Sequence, residues 1–143
     1  MDAFDADVLI YAAVDGHPLG RRVRALVPAG PGAVDSCRCR NRFGSVASLL
    51  PELLTKPCGG NAADELADLN DLLGRLDLLP VDRATAELAT AFAVSYRLRA
   101  ADAVHLATAV AGGADRFLTT NQSDFPTTIA EIDVVYPANL PDT

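Results

Sequence analysis

The chain has little positive charge, and Lys56 is its only lysine. Its 12 lysine and arginine residues stand against 19 aspartate and glutamate residues, so the formal net charge is −7. Proteins that attract nucleic acid through their overall charge usually have the opposite balance. The arginines are grouped, however, and each group is compatible with a local phosphate-binding patch or with an ordinary solvated helix face. The groups are Arg21, Arg22 and Arg24; Arg38, Arg40 and Arg42; and Arg97 and Arg99.

Cysteine is also scarce. The three cysteines, Cys37, Cys39 and Cys58, cannot all pair within one chain, which argues against a disulfide scaffold and for a reducing compartment. The spacing of Cys37 and Cys39 departs from that of common zinc sites. The N-terminus lacks a basic region followed by a long apolar stretch and a cleavage site. We therefore expect a cytoplasmic protein that is neither exported nor inserted into a membrane.

Length and composition favour one domain. The chain has 143 residues, of which 50% are hydrophobic, and this is enough to form one core. We expect a single domain over residues 1–143, with its core at about 4–136 and a loose C-terminal tail from Pro137.

Short apolar runs alternate with segments of helical spacing, a pattern typical of an α/β fold with a mostly parallel central sheet covered on both faces. Strands are predicted at 8–13, 78–81, 116–120 and 134–136. The segment 33–44 is compatible with a short strand and a mobile loop. Helices are predicted at 19–27, 45–55, 61–76, 82–98 and 101–111, with Ser45, Asn61 and Asp82 as the N-cap residues of the middle three.

Four short segments carry acidic side chains within apolar surroundings, at residues 4–11, 49–54, 100–107 and 119–125. A carboxylate beside buried hydrophobic residues must be solvated by something other than the core, and a divalent metal ion often serves. A metal-dependent hydrolase is therefore the first functional hypothesis.

Taken singly, these acids differ in what they indicate. Glu52 is surrounded by leucines on its helix, so its carboxylate must follow a narrow polar seam or enter a site. Asp102 lies in the first turn of a helix, where it could simply complement the helix dipole. Sites in parallel sheets form beyond the carboxyl ends of the strands. Because Asp5 precedes the predicted strand at 8–13, it is equally compatible with a turn residue.

The same four segments resemble the motifs of PIN-domain ribonucleases. Residues 4–10 are similar to the opening motif of that family, and residues 50–57 to the helix that carries its glutamate. Residues 98–109 resemble the segment of the third acid most specifically, and residues 113–125 resemble the fourth motif. The size and the order of elements are similar to those of VapC-type toxins from toxin–antitoxin pairs. The resemblance implies a three-layer α/β/α fold.

The resemblance also implies a catalytic site. It assigns metal binding to Asp5, Glu52 and Asp102, with a catalytic role for all three, and we expect these carboxylates to converge on one ion site. The cofactor would be Mg²⁺ or Mn²⁺, as one ion or two, which activates a water for attack on an RNA phosphodiester.

The fourth acid is where the chain departs from the family pattern. The expected position falls on Asn121 or Gln122, depending on which threonine is counted, and neither side chain ionises. Asp124 is the nearest carboxylate and becomes the fourth catalytic candidate. Supporting roles are predicted for Asp7, Thr119, Thr120 and Asn121.

The implied partners are an RNA substrate, a cognate antitoxin protein and a second copy of the chain in a homodimer. As a toxin, such a ribonuclease would inhibit translation. The RNA-contact candidates are Arg38, Arg40, Arg42, Arg97 and Arg99.

Two other interpretations remain open at this stage. The pair Asp5 and Asp7 reproduces the nucleophile and acid/base pair of haloacid-dehalogenase-type phosphatases, although the later lysine of that class has no counterpart. Asn121 and Gln122 are compatible with a degenerate PIN fold that only binds a partner. For His105, helix packing or an interface role is favoured over general base catalysis.

Overall fold

The computed structural model describes residues 1–27, 43–46, 49–60 and 63–141. Within these ranges, short strands alternate with helices. The elements in chain order are β1 (Asp2–Phe4), α1 (Ala6–Ala13), α2 (Pro18–Arg24), β2 (Phe43–Val46), α3 (Leu49–Gly60), α4 (Ala63–Leu73), β3 (Asp77–Leu79), α5 (Arg83–Tyr96), α6 (Ala100–Ala111), β4 (Arg116–Leu118), β5 (Asp133–Val135) and a 3-10 helix at Pro137–Asn139.

The five strands form one sheet in the order β3-β2-β1-β4-β5, and every neighbouring pair is parallel. Strand β1 is central, and its residues pair with β4 from Asp2 opposite Arg116 to Phe4 opposite Leu118. Both β1 and β4 therefore end at the same edge of the sheet.

The side chains of β1 and β4 alternate between two hydrophobic clusters, as successive residues of a strand must. Phe4 and Leu118 pack with helices α1 to α4 on one face. Ala3 and Phe117 pack with α5, α6 and residues 125–134 on the other face. The predicted three-layer α/β/α architecture is confirmed.

The prediction of a strand at 8–13 is wrong, because these residues belong to α1. Val8, Leu9, Ala12 and Ala13 are buried at helical spacing, and the side chain of Asp5 accepts a hydrogen bond from the backbone N–H of Ala6 to cap the helix. The first strand is the three-residue segment before this cap. Asp5 therefore follows the carboxyl end of a strand, where parallel sheets form their sites.

Other boundaries also shift. Ser45 does not cap a helix, because it lies in β2 and α3 begins at Leu49. Asp82 caps α5 as predicted by accepting a hydrogen bond from Thr85 N at 2.8 Å. This helix ends at Tyr96 instead of Leu98, since Arg97 adopts the left-handed conformation with φ 56°. The predicted cap Asn61 lies outside the described residues.

The prediction of a loose tail from Pro137 is wrong for residues 137–140. Pro137 and Leu140 are buried, and the guanidinium of Arg22 donates a hydrogen bond to the carbonyl of Ala138 at 2.7 Å. The 3-10 helix thus packs against α2. In the described part of the chain, no helix combines the length and the apolar character needed to cross a membrane.

Candidate active site

Two adjacent strand ends bring Asp5 and Thr119 together. Asp5 directly follows β1 and Thr119 directly follows β4, and the parallel register sets the two residues side by side. The backbone N–H of Asp5 donates to the carbonyl of Leu118 at 2.9 Å. The hydroxyl of Thr119 donates to Oδ2 of Asp5 at 2.8 Å. The sheet itself therefore positions this pair.

Asp5 is buried, with 6% of its surface exposed, and both of its carboxylate oxygens accept hydrogen bonds. Oδ1 accepts from the backbone N–H of Ala6 at 2.9 Å and faces Nδ1 of His105 at 3.0 Å. A carboxylate oxygen accepts from an N–H, so the tautomer of His105 with hydrogen on Nδ1 matches this contact. These contacts compensate the burial of a charged group.

His105 lies between two of the predicted acids. It is 4% exposed, and while Nδ1 contacts Asp5, Nε2 lies 3.4 Å from Oε1 of Glu52 on α3. Glu52 approaches from the solvent side, with 42% of its side chain exposed. The favoured interpretation of His105 as a packing or interface residue missed this contact. The available signal was its position three residues after Asp102, on the same face of α6.

The charges around His105 shift its pKa upward. Burial lowers the pKa of the imidazole, but the hydrogen bond to Asp5 and the negative charges of Asp5, Glu52 and Asp102 outweigh that effect. The net shift is above the ordinary value of 6.5. His105 thus lies among the carboxylates of Asp5, Glu52 and Asp102.

Asp102, in the first turn of α6, belongs to the same group of interacting carboxylates. Burial raises its pKa, and the negative charges of Asp5 and Asp124 raise it further, against smaller opposing effects of His105 and Arg99. Asp7 is exposed overall, yet partial desolvation and then the charge of Asp5 raise the pKa of its carboxyl group. The hydroxyl of Thr120 lies 3.5 Å from Asp7 Oδ2.

Asn121 holds Asp124. Asn121 itself stands at one of the two positions where the resemblance leads us to expect an acid. Nδ2 of Asn121 donates to Oδ2 of Asp124 at 2.7 Å, and Oδ1 of Asn121 accepts from the backbone N–H of Asp124 at 3.2 Å. The backbone N–H of Asn121 donates in turn to Thr119 Oγ1 at 3.1 Å. A chain of contacts therefore runs from Asp5 through Thr119 and Asn121 to Asp124.

The charges of four predicted acids act on Asp102 or on His105. These residues, which we call the acidic cluster, are Asp5, Glu52, Asp102 and Asp124. Among the described residues, no three histidine, cysteine, aspartate or glutamate side chains are placed to hold one ion directly. Mg²⁺ commonly uses only one or two carboxylates and completes its coordination with water. The donors are carboxylate oxygens, which suit Mg²⁺ and Mn²⁺. The convergence of Asp5, Glu52 and Asp102 on one ion stays a prediction.

The arginine candidates divide into two groups. Arg97 and Arg99 are exposed and lie just before the start of α6. The positive charge of Arg99 opposes the rise in the pKa of Asp102 that burial and the neighbouring carboxylates cause, which places Arg99 at the rim of the acidic cluster. The remaining candidates, Arg38, Arg40 and Arg42, lie outside the described residues.

Comparisons with known proteins test the fold of the chain. The sequence model of the PIN domain family matches residues 3–128. No curated protein matches the chain at a significant level.

Solved structures share the fold at low sequence identity. A toxin–antitoxin complex from Klebsiella pneumoniae contains a chain with 22% identity and a TM-score of 0.64, over 96% of this chain and 98% of that one. VapBC2 from Rickettsia felis bound to a promoter DNA fragment gives 14% identity and a TM-score of 0.70, over 94% and 97%. FitAB bound to the IR36 DNA fragment gives 21% and 0.61, over 99% and 98%.

The phosphatase interpretation is wrong. The match to the PIN domain family over most of the chain leaves no role for that alternative.

Proposed function

Because the chain belongs to the PIN domain family, we propose that it is an endoribonuclease that depends on Mg²⁺ or Mn²⁺. The observation that carries this proposal is the acidic cluster at the ends of β1 and β4. There, burial raises the pKa of Asp102, and the negative charges of Asp5 and Asp124 raise it further. Carboxylates that repel one another in this way favour the binding of a cation.

Asp5 and Asp102 would hold the metal. Thr119 fixes Asp5 through the hydrogen bond to Oδ2, and Asn121 directs Asp124 toward the same region. When bound, a metal of this kind polarises the phosphate and makes a bound water more acidic. Glu52 is partly exposed at the edge of the cluster, where its carboxylate can orient a water or accept its proton.

The expected reaction is hydrolysis of an RNA phosphodiester. Oxygen from water bonds to phosphorus, and the bond from phosphorus to the 3′ oxygen breaks. The products therefore carry a 5′-phosphate and a 3′-hydroxyl. Arg99 lies at the rim of the cluster and Arg97 near it on the same connection, so both are suited to contact the RNA phosphates. These contacts would offset the repulsion between RNA and a chain of net charge −7.

We further propose that the protein is the toxin of a toxin–antitoxin pair. The solved structures of similar fold include toxin–antitoxin complexes, and the likeness covers nearly the full length of both chains. In this role the protein would cleave RNA needed for translation, form a homodimer and be inhibited by an antitoxin. A strict monomer in light scattering, with no co-encoded protein that copurifies, would argue against the toxin role and leave the nuclease proposal intact.

A metal-switch experiment tests the nuclease proposal. Purified protein treated with a chelator is mixed with a short single-stranded RNA, and Mg²⁺ or Mn²⁺ is then added. We expect cleavage only after addition of the metal, with 5′-phosphate ends in the products. Cleavage that persists in the chelator, or products with cyclic phosphate ends, would contradict the proposal. The absence of any cleavage would favour the degenerate PIN fold that only binds a partner.

A further inference from the structure

We propose, building on the proposed nuclease function, that His105 is a positioning residue that fixes the carboxylates of Asp5 and Glu52 relative to each other. These acids come from different parts of the chain, since Asp5 follows β1 and Glu52 lies on α3. In the described structure, one imidazole ring faces both of them through its two nitrogens.

The contact with Asp5 is specific. Nδ1 of His105 lies 3.0 Å from Asp5 Oδ1 across a separation of 100 residues, and both side chains are buried. Hydrogen bonds between buried groups, one of them charged, are among the stronger ones in proteins. A residue that served packing alone would gain nothing from a ring nitrogen at this position.

The other nitrogen has no such bond. Nε2 of His105 is buried and makes no hydrogen bond within the described residues. Glu52 Oε1 lies 3.4 Å from it, beyond the usual range of roughly 2.7–3.2 Å for a good hydrogen bond. An unpaired buried nitrogen is costly in a purely structural residue. A functional role, in which the edge of the ring at Nε2 limits the positions open to the carboxylate of Glu52, accounts for this placement.

The contacts of Asp5 limit how it can bind a cation. Oδ1 is occupied by Ala6 N and His105 Nδ1, and Oδ2 is occupied on one side by Thr119. A carboxylate offers about four lone-pair directions, so the side of Oδ2 away from Thr119 is the direction left free. His105 and Thr119 together would therefore restrict Asp5 to binding a cation through one oxygen. A carboxylate that binds in this way fills a single position of octahedral Mg²⁺.

Three substitutions separate the two contacts. In His105→Asn, the amide nitrogen can take the place of Nδ1 beside Asp5, but nothing reaches Glu52. In His105→Gln, the longer side chain can reach toward Glu52 and the donor to Asp5 is lost. His105→Phe keeps the ring volume and loses both contacts. His17→Asn is the matched control, because His17 caps α2 and stacks on Tyr11 away from the acidic cluster.

The readouts are Mn²⁺ affinity by calorimetry, kcat and KM for RNA cleavage, and the melting temperature. We expect His105→Gln and His105→Phe to lower Mn²⁺ affinity by about 10- to 100-fold, as loss of a partner to a metal-binding carboxylate usually does. His105→Asn should keep an affinity close to that of the wild type. It should lower kcat with little change in KM, because Glu52 is released. The control should match the wild type in affinity and kcat.

The outcomes separate this inference from the nuclease proposal. If the wild type binds Mn²⁺ and cleaves RNA but the three His105 variants do the same, the positioning role is wrong and the nuclease proposal stands. If all three variants lose Mn²⁺ affinity equally and in proportion to their loss of melting temperature, His105 is structural and the positioning role is again wrong. A wild type that binds no Mn²⁺ contradicts both.

Discussion

Asn121 donates a hydrogen bond to the carboxylate of Asp124 at 2.7 Å, so a neutral side chain orients the acid three residues further along the chain. The loop after β4 thereby presents a carboxylate whose charge adds to the rise in the pKa of Asp102 that burial and the charge of Asp5 cause. The departure from the family pattern at position 121 thus leaves a negative charge near the other acids.

The first prediction concerns this fourth acid. Asp124→Asn should lower Mn²⁺ affinity and RNA cleavage by about 10- to 100-fold while the melting temperature stays the same or rises. Removal of a charge that faces other carboxylates relieves repulsion in the metal-free protein. Asp133→Asn is the matched control, because Asp133 is exposed on β5. Unchanged Mn²⁺ affinity and unchanged cleavage in Asp124→Asn would mean that Asp7 or water takes the role of the fourth acid.

The second prediction is a pH dependence of stability. The pKa of Asp102 is raised above 3.8 by burial first and then by the charges of Asp5 and Asp124. Between pH 3.8 and the higher pKa of the folded state, Asp102 binds more protons in the folded protein than in the unfolded protein. This group therefore makes the metal-free protein less stable as pH rises through its folded pKa. Asp102→Asn should therefore raise the melting temperature at neutral pH and weaken the decline. Addition of Mg²⁺ should stabilise the wild type more than the variant.

Asp64→Asn provides the control for that experiment. Asp64 occupies the first turn of α4, as Asp102 does in α6, and it is exposed. Loss of a charge that favours the helix dipole should leave its melting temperature unchanged or slightly lower. A lower melting temperature for Asp102→Asn would show that the dipole effect outweighs the repulsion at the site.

The third prediction concerns a salt bridge at the opposite end of the sheet. Asp2 and Arg116 are register partners on β1 and β4, and the guanidinium donates to both carboxylate oxygens at 2.8 and 2.6 Å. Asp2 is 8% exposed. Arg116→Gln should lower the free energy of unfolding by about 1–3 kcal/mol because it leaves a buried charge unpaired. The partial exposure of Arg116 favours the lower end of that range.

The double variant Asp2→Asn with Arg116→Gln should recover part of this loss, which a double-mutant cycle in urea unfolding measures. Strict additivity of the two single variants would show that the pair does not interact in solution. Nuclease activity of the folded fraction should be unchanged, because this pair lies at the end of the strands away from the site.

The fourth prediction tests the packing of α1 against α2. A Cβ at Gly20 would lie 2.0 Å from the carbonyl oxygen of Tyr11, so Gly20→Ala should force the helices apart and cost about 1–3 kcal/mol of stability. Gly59→Ala is the control, since a Cβ there meets nothing within 4 Å and alanine favours a helix. Equal unfolding midpoints for the two variants would contradict the close approach of α1 and α2.

The sequence predicted the element types well where the pattern was unambiguous. Strands β3, β4 and β5 and helices α5 and α6 lie within a few residues of their predicted positions. The run Val8, Leu9, Ile10 and Tyr11 was assigned to a strand because a short apolar run fits a buried strand and a buried helix equally. The run is helical in the structure because Asp5 caps the helix, while residues 2–4 form the strand that pairs with β4.

The candidate site was predictable only in part. Each acid was identifiable from its apolar surroundings and from the resemblance, but contacts between distant residues were not. His105 contacts Asp5 from 100 residues away and faces Glu52 on another helix, and the local signal for these contacts was its position three residues after Asp102 on α6. The link between Asn121 and Asp124 is local, yet only the geometry of the turn shows which side chain directs the other.

RNA cleavage by Glu52→Gln, compared with the wild type and with Glu65→Gln, tests the central claim most directly. Glu65 is exposed on α4, so its substitution makes the same chemical change away from the site. We expect the wild type and Glu65→Gln to cleave RNA at the same rate with Mg²⁺ or Mn²⁺. Glu52→Gln should fold normally and show no cleavage above the metal-free background. Cleavage by Glu52→Gln at the wild-type rate would contradict an active site built from Asp5, Glu52 and Asp102.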